Sequence, residues 1–280
     1  MTYKTVMVHL DTSKGAHTRL SFALKLARKF DAHLDGVFSM FDPHPLGFYA
    51  MTGTADFYKA HSKFLAQKRS EVERLFRAEL TCAQVPGVWT APDGYPVTTV
   101  MQGSRTADLV ILGQARPQDP ESCVADNFLE TILLGAGSPV LLIPETGSFE
   151  AVGERILIAW NGGREAARAI RDAIPLVARA TRVTVAAVVA TAFKPAPTEA
   201  SCADVAAMLQ RHVALPVDIA RFDRPLAVST GDALLEFAID GGYDLLVAGA
   251  YGHARFHDLV LGGVTRTILS SMTLPVLMSH

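Results

Sequence analysis

A stretch near the end of the sequence combines glycines with a helix start, as phosphate-binding loops do. It contains Gly249, Ala250, Tyr251, Gly252 and His253 and then Gly262, Gly263, Val264 and Thr265, with nine residues between Gly252 and Gly262. Glycine permits positive φ angles and a close approach of the backbone to a ligand. Free N–H groups at a helix start, together with the positive end of the helix dipole, favour phosphate. Ordinary loop glycines before a helix explain the spacing equally well. Whether this stretch can bind a ligand therefore depends on the strands and helices around it.

Short apolar runs alternate with helical patterns along the chain, which predicts parallel sheets covered by helices on both faces. In the first part we predict strands at 6–10, 33–40, 88–90, 109–112 and 140–143 and helices at 15–29, 54–80, 95–104 and 124–135. In the second we predict strands at 156–160, 183–189, 217–220, 245–248 and 276–278 and helices at 163–180, 198–213, 231–241 and 263–272, the first of these helices kinked at Pro175. The glycine stretch then lies at the carboxyl ends of parallel strands, where open α/β sheets bind ligands.

The two parts repeat each other in sequence. At an offset of 136 residues, Asp108–Gly113 matches Asp244–Gly249, Thr131–Leu133 matches Thr267–Leu269, and Pro139–Leu141 matches Pro275–Leu277. The first strands match at an offset of 150 residues, with Asp11 over Asn161. We therefore predict two homologous domains at residues 1–145 and 154–280, joined by the turn-rich linker 144–153.

Composition excludes several classes of protein. The chain has 280 residues with 49% hydrophobic and 19% charged residues, enough apolar side chains to bury a core. The formal net charge of −2 argues against a nucleic-acid partner. The most apolar stretch, Val183–Phe193, is about half the length that a membrane span needs, so no membrane partner is expected. The start lacks a secretory pattern and the three cysteines are far apart, which favours reduced thiols and a cytoplasmic location.

The pattern Gly-x2-Gly-x9-Gly-(Ser/Thr) after a fourth strand resembles the ATP-binding signature of the universal stress protein family, with matches at Gly249, Gly252 and Gly262. The resemblance covers the chain as two tandem copies. It implies two tandem open five-stranded parallel sheets with helices on both faces, a Rossmann-like fold similar to that of the adenine-nucleotide α-hydrolases. It also implies an intramolecular pseudo-dimer in which the closing strands 140–143 and 276–278 lie side by side. A further homodimer is left open.

The resemblance implies that ATP or ADP, with or without Mg²⁺, binds in the second half. The implied contacts are Trp160 and Asn161 after the first strand, backbone near Val188 at the end of the second strand, and the glycine stretch itself. Two positions depart from the family pattern: Gly263 replaces a Ser/Thr and Asn161 replaces an acidic residue. Thr265 offers a replacement hydroxyl, and Asn161 can bind a ribose or cap the next helix. Trp160 either walls a ligand or packs in the core.

The first half lacks the motif. At the 136-residue offset, Arg116 replaces Gly252, Asp126 replaces Gly262, Asn127 replaces Gly263 and Leu129 replaces Thr265. A carboxylate at Asp126 repels phosphate, although it also suits a helix N-terminus. We expect no nucleotide in the first half.

No arrangement of base, nucleophile and carboxylate is evident, so we predict no catalytic residues and at most slow ATP hydrolysis. The resemblance favours a regulatory or protective stress-response role. The alternatives are a nucleotide-using enzyme of the same fold, of the nucleotidyl transferase or ATP-pyrophosphatase type, and a scaffold that binds no nucleotide. We predict no metal site, although His253, His257 and Asp258 are close in sequence. Asp11 is interpreted as a helix N-cap rather than a catalytic group, and His9 as a core histidine.

Replacing Gly262 by Asp copies the first half's residue and is expected to abolish ATP binding while the fold stays intact, because a carboxylate would stand where phosphate should lie. Calorimetry of ATP binding, with circular dichroism to establish folding, measures this. Unchanged affinity in a folded Gly262→Asp protein would contradict the glycine-loop interpretation.

Overall fold

The alternation of strands and helices predicted above is present in a computed structural model of the chain, which describes residues 2–40, 55–114, 127–190, 202–225, 227–252 and 263–280. The elements up to residue 143 are β1 (Thr5–Leu10), α1 (Ala16–Phe30), β2 (His33–Phe38), α2 (Ala55–Ala83), β3 (Gly87–Thr90), α3 (Pro96–Ser104), β4 (Leu109–Gly113), α4 (Phe128–Gly135) and β5 (Val140–Ile143). The later elements are β6 (Arg155–Ala159), α5 (Arg164–Val177), β7 (Arg182–Ala190), α6 (Cys202–Leu209), β8 (Val217–Arg224), α7 (Thr230–Asp240), β9 (Leu245–Gly249), α8 (Gly263–Ser271) and β10 (Val276–Ser279).

The contacts within the chain define two compact units. Among the described residues, one unit comprises 4–111 and 127–132, and the other comprises 2–3, 112–114 and 133–280. The unit of the first half holds four parallel strands in the order β3-β2-β1-β4. Val6 and Val8 of β1 are fully buried between the two helical layers, as the apolar run predicts. At the end of this sheet, β3 alternates between half-buried and exposed side chains.

The unit of the second half holds five parallel strands in the order β10-β9-β6-β7-β8. The predicted parallel α/β fold is thereby confirmed. The chain runs outward from β6 through β7 to β8, and β9 returns to the other side of β6. The strand order therefore reverses between β6 and β9, which makes this crevice the place where such sheets bind ligands.

The closing strands lie side by side. β5 belongs to the unit of the second half and pairs antiparallel with β10, with Val140 opposite Met278 and Leu142 opposite Val276. All four residues of each strand are buried, so the pair is part of the core. This confirms the predicted pairing of the last strands. The domain limits at 145 and 154 stay a prediction. The contacts within the chain group β5 with the unit of the second half.

Most element boundaries agree with the sequence-based expectations to within a few residues, and the main difference concerns an edge of the sheet. β8 was expected at 217–220, but it continues to Arg224 because β7 also runs on to Ala190 and the two pair along their whole length. The residues that follow Ala220 are mostly polar and do not show the apolar pattern of a buried strand, because an edge strand exposes one face to solvent. Pro175 lies inside α5, two residues before the helix ends at Val177. No helix in the described ranges is long and apolar enough to span a membrane.

Gly36 of β2 packs closely against an aromatic side chain of α2. The Phe76 side chain of α2 is fully buried and covers Gly36, and a Cβ atom built on that glycine would lie 2.5 Å from Phe76 Cε2. The Trp89 ring lies 5.5 Å from the ring of Phe76. A methyl group at residue 36 must therefore displace an aromatic ring that has no free space around it.

Replacing Gly36 by Ala is expected to destabilise the first half by about 1–3 kcal/mol through overpacking. The chain has two tryptophans, so urea unfolding followed by fluorescence in a Trp160→Phe background reports on Trp89. Gly15→Ala is the matched control, since its added Cβ meets its nearest neighbour at an ordinary 3.4 Å. Equal free energies of unfolding for the two variants would contradict this packing argument.

Candidate functional site

The ends of β6, β7 and β9 converge where the strand order reverses. Ile158 of β6 is opposite Val247 of β9, and Ala159 is opposite Ala186 of β7. Trp160 and Gly249 therefore leave the sheet side by side. Val188 lies two residues beyond Ala186 on β7 and is half-buried. These backbone positions bring together three of the segments that the sequence assigned to a binding site.

The turn after β6 is closed by Asn161. Its Oδ1 accepts a hydrogen bond of 2.9 Å from the Gly163 N–H, and Gly162 between them has a φ of +78°. Gly163 is the N-cap residue of α5 and has no side-chain cap, so Asn161 shapes the turn before the helix instead of capping the helix. The Asn161 side chain is exposed at this turn. The half-buried Trp160 donates its backbone N–H to Ala186 O at 2.8 Å.

Gly249 ends β9 against the first turn of α5. A Cβ atom on Gly249 would overlap the Ala166 nitrogen and would lie 2.6 Å from the Glu165 carbonyl carbon. Since both of these are backbone atoms that cannot swing away, only glycine fits. The close approach expected of this glycine is therefore made to the backbone of α5, and its contact with a nucleotide stays a prediction.

The loop that follows is held at two points. Ala250 donates its N–H to Ser279 O at 2.9 Å, and Tyr251 donates its N–H to Thr265 Oγ1 at 3.2 Å. Tyr251 has a φ of +62°, a left-handed conformation that is uncommon for a residue with a bulky side chain. Such strain persists only where surrounding contacts enforce it, and it is typical of functional loops.

At the N-terminus of α8, no atom of the described residues lies within 4 Å of a Cβ atom built on Gly263, and Val264 is 38% exposed. The first N–H groups of a helix have no partner within the helix, so they are available as donors. Thr265 is 3% exposed and serves the loop as the acceptor for Tyr251, so its expected contact with phosphate stays a prediction. His253 and Gly262 lie outside the described residues, as do His257 and Asp258.

Glu165 is a residue of this site that the sequence did not reveal. It is 5% exposed, and its Oε2 atom lies 3.0 Å from the position of a Cβ atom on Gly252 and 3.3 Å from that of a Cβ atom on Gly163. Burial raises its pKa, but the hydrogen bond that Arg164 Nε donates to Oε1 and the other favourable contacts outweigh burial and lower the pKa. The carboxylate is therefore ionised beside the glycine loop. An acidic residue in the first turn of a helix is so common that nothing in the sequence marks it as functional.

In the first half, a buried ion pair lies just after β1, the position that corresponds to the Asn161 turn after β6. Arg19 Nη2 lies 2.6 Å from Asp11 Oδ1, and both side chains are less than 10% exposed. Asp11 also accepts from the Ser13 N–H at 3.0 Å, while Arg19 Nε donates to His9 O at 3.1 Å. The interpretation of Asp11 as a helix N-cap is wrong: Gly15 is the N-cap of α1, and Asp11 neutralises a buried arginine instead.

Two residues near this ion pair in the first half, His9 and Leu129, are buried as well. His9 is 2% exposed, its Nε2 lies 3.0 Å from Ser39 O, and its ring lies 5.2 Å from the ring of Phe128, so its interpretation as a core histidine is confirmed. Burial lowers the pKa of His9, which keeps the ring neutral. Leu129, which aligns with Thr265, is buried and offers no hydroxyl to hold a loop. Arg116 and Asp126 lie outside the described residues.

A sequence profile of the universal stress protein family matches residues 153–280. The second half of the chain is therefore a universal stress protein domain, and its sheet and glycine loop lie within the matched residues. None of the curated proteins compared with the chain matches it in sequence.

Solved structures resemble the chain over both halves. A universal stress protein from Archaeoglobus fulgidus DSM 4304 is similar over 98% of this chain and 97% of its own, with 14% identity and a TM-score of 0.73. A putative universal stress protein from Pseudomonas aeruginosa UCBPP-PA14 covers 99% of this chain and 93% of its own, with 15% identity and a TM-score of 0.58. The cytoplasmic domain of a prokaryotic cation chloride cotransporter covers 99% and 95%, with 12% identity and a TM-score of 0.53. At these identities the likeness extends to the fold alone.

The Asp11–Arg19 pair predicts how acid affects the first half. Burial alone raises the pKa of Asp11, but the charge of Arg19 and the hydrogen bonds from Ser13 and Arg19 bring it to about 2, below the ordinary value of 3.8. A carboxyl group with a depressed folded pKa stabilises the fold above its unfolded pKa, and this stabilisation is lost as pH falls through the folded value. We expect about 2 kcal/mol to be lost between about pH 4 and about pH 2.

Urea unfolding of wild type and Asp11→Asn at several pH values, followed through Trp89 with Trp160 replaced by Phe, tests this expectation. The stability difference between the two proteins should shrink as pH falls through that window. Asp93→Asn is the control, because the Asp93 side chain is fully exposed. A difference that stays constant with pH would show that Asp11 gains nothing from Arg19.

Proposed function

We propose that the second half of the chain binds one adenine nucleotide, ATP or ADP, in the crevice between the ends of β6 and β9, and that the protein serves stress response by binding. The observation that carries this proposal is the meeting of an Asn161 turn and a strained glycine loop at the point where the strand order reverses. Both segments are fixed by the fold, and they leave polar groups exposed.

The start of α8 supports phosphate binding. Gly263 and Val264 place backbone N–H groups at an exposed helix N-terminus, where the helix dipole adds a partial positive charge. Thr265 joins this helix to the loop through the Tyr251 N–H, so the two sources of donors are held together. The missing Ser/Thr hydroxyl at Gly263 removes one hydrogen bond, and the backbone donors remain.

The ends of β6 and β7 support recognition of the nucleoside. Asn161 is exposed, and its hydrogen bond in the turn uses only Oδ1, so its amide NH₂ group is placed to bind a ribose hydroxyl. Val188 is half-buried at the end of β7, a suitable edge for an adenine ring. Trp160 lies between these two strand ends and provides a spectroscopic probe.

Binding is expected in the second half only. In the first half, Arg19 already satisfies the carboxylate of Asp11, and Leu129 replaces the threonine that anchors the loop.

Turnover is expected to be slow. The buried carboxylate of the described site, Glu165, is paired with Arg164 and has a lowered pKa, which makes it a weak base. A nucleotide-using enzyme and a scaffold that binds no nucleotide stay alternatives, and titration with nucleotide separates them.

Calorimetric titration with ATP and with ADP should give one equivalent per chain, and nucleotide should change the Trp160 fluorescence in a Trp89→Phe background. Asn161→Ala should weaken binding by about threefold to tenfold, the value of one hydrogen bond. Asn127→Ala in the first half is the matched control and should leave the affinity unchanged. No binding would favour the scaffold, two equivalents would contradict the asymmetry, and turnover above about 1 per second would favour an enzyme.

A further inference from the structure

A glutamine from the first half of the sequence caps a helix of the second half. Gln114 follows β4 directly, and the contacts within the chain group it with the unit of the second half. Its side-chain amide donates hydrogen bonds to the carbonyl oxygens of Leu269 and Ser270, each at 3.1 Å. Both carbonyls lie in the last turn of α8, where backbone acceptors have no partner further along the helix. Gln114 therefore caps the C-terminus of the helix whose N-terminus is the proposed phosphate site.

The Gln114 side chain is itself held in place by the end of β5. Its backbone N–H donates to Ile143 O at 2.9 Å, and its Oε1 accepts from the Glu145 N–H at 3.3 Å. One end of the amide meets carbonyl oxygens and the other meets an N–H group, so only one orientation of the amide satisfies all of these contacts. The half-buried side chain is thus fixed between the end of β5 and the end of α8.

The corresponding residue of the second half cannot form such a cap. At the 136-residue offset, Gln114 matches Ala250. The backbone contact is shared, since Ala250 donates its N–H to Ser279 O at 2.9 Å as Gln114 does to Ile143 O. The methyl side chain of Ala250, however, has no donor for a helix end. The repeat therefore keeps the backbone contact at this position but carries the capping amide only in the first half.

α8 is short enough for a contact at one end to affect the other. Its nine residues span about 13 Å. Thr265 Oγ1 holds the start of the helix through the Tyr251 N–H, and the Gln114 amide holds its last carbonyls. A helix of this length has little stability of its own, so the contacts at its ends help to determine where it lies. The N–H groups at Gly263 and Val264 therefore depend on both contacts.

The side of α8 offers a competing explanation for the position of this helix. A Cβ atom on Gly231 of α7 would lie 2.7 Å from Thr267 Cβ, and Ser229 Oγ lies 3.4 Å from Thr267 Oγ1. If packing against α7 alone fixes α8, loss of the Gln114 amide leaves the affinity for ligands unchanged. If the cap is needed, its loss weakens the contacts with phosphate and spares those that β6 and β7 make with the nucleoside.

We infer that Gln114 is a positioning residue for the phosphate site of the second half, so that the first half contributes to nucleotide affinity although it lacks the glycine loop. This inference rests on the proposed function. Gln114 lies at the opposite end of α8 from the phosphate and acts through the helix. Its effect is therefore expected on the phosphate part of a ligand and not on the adenosine part.

The test is calorimetry with ATP, ADP and adenosine on the full chain and on two Gln114 variants. Gln114→Ala removes the whole amide. Gln114→Glu keeps an oxygen for the Glu145 N–H and removes the donors to α8. We expect each variant to bind ATP and ADP about threefold to tenfold more weakly than wild type, and to bind adenosine within about twofold of wild type.

Gln210 provides the matched control. Its Nε2 donates to Leu215 O at 2.8 Å and its Oε1 accepts from the Val217 N–H at 3.2 Å, so it makes the same kinds of contact between the end of α6 and the start of β8. Gln210→Ala and Gln210→Glu should change none of the three affinities. Urea unfolding of all four variants measures how much stability each of them loses, and circular dichroism establishes that each is folded.

Each other outcome contradicts a defined statement. Unchanged ATP and ADP affinities in both Gln114 variants overturn this inference in favour of the α7 contact, and the proposed nucleotide site stands. An equal loss for adenosine, or the same loss in the Gln210 variants, overturns it because the effect is then one of general stability. A loss in only one Gln114 variant overturns it too, because the added charge or the Glu145 contact then explains the loss. If wild type binds none of the three probes, the proposed function fails and this inference with it.

Discussion

The contact between the end of β9 and the first turn of α5 constrains everything at the carboxyl edge of the second sheet. Backbone meets backbone there, and Gly249 is required because a Cβ atom would overlap Ala166. This approach turns the following loop over the helix start and brings Gly252 beside Glu165. Tyr251 adopts a left-handed conformation, which its hydrogen bond to Thr265 of α8 helps to hold. The close contact at Gly249 and the hydrogen bond at Tyr251 lie on either side of Ala250, just before Gly252 meets Glu165.

The two halves carry different residues at the end of their first strand, charged in one half and neutral in the other. In the first half a buried arginine, Arg19, enters from α1 and takes up the carboxylate of Asp11. At the 150-residue offset, Arg19 corresponds to Ala169, which is fully buried, and Asp11 corresponds to the neutral Asn161. The second half therefore has neither member of this pair. It has an exposed amide at this position and, in the first turn of α5, a carboxylate near the loop.

The sequence predicted what depends on local pattern and missed what depends on distant approach. Alternating apolar runs and the internal repeat were sufficient for the strand and helix order. The resemblance to the universal stress protein family implied the pairing of β5 with β10. Asp11 was misinterpreted because a carboxylate before a helix has two possible partners, the helix N-terminus and Arg19, and only the packing of α1 chooses between them. Glu165 was missed for a related reason: its environment is made by Gly252, far along the chain, and no residue near it in sequence signals that contact.

The candidate site of this chain lies at the strand ends and not within the sheets. Structures that share 12–15% identity with this chain keep its sheets over nearly the whole length, and one of them is the cytoplasmic domain of a transporter. Buried strands tolerate such divergence because many combinations of Val, Ile and Leu fill the same layers. The helix starts that face the strand ends have less freedom. Leu129 in α4 is buried like Thr265 in α8, but it has no hydroxyl that could hold a loop. Two copies of a repeat can therefore share a fold while the contacts at their strand ends differ.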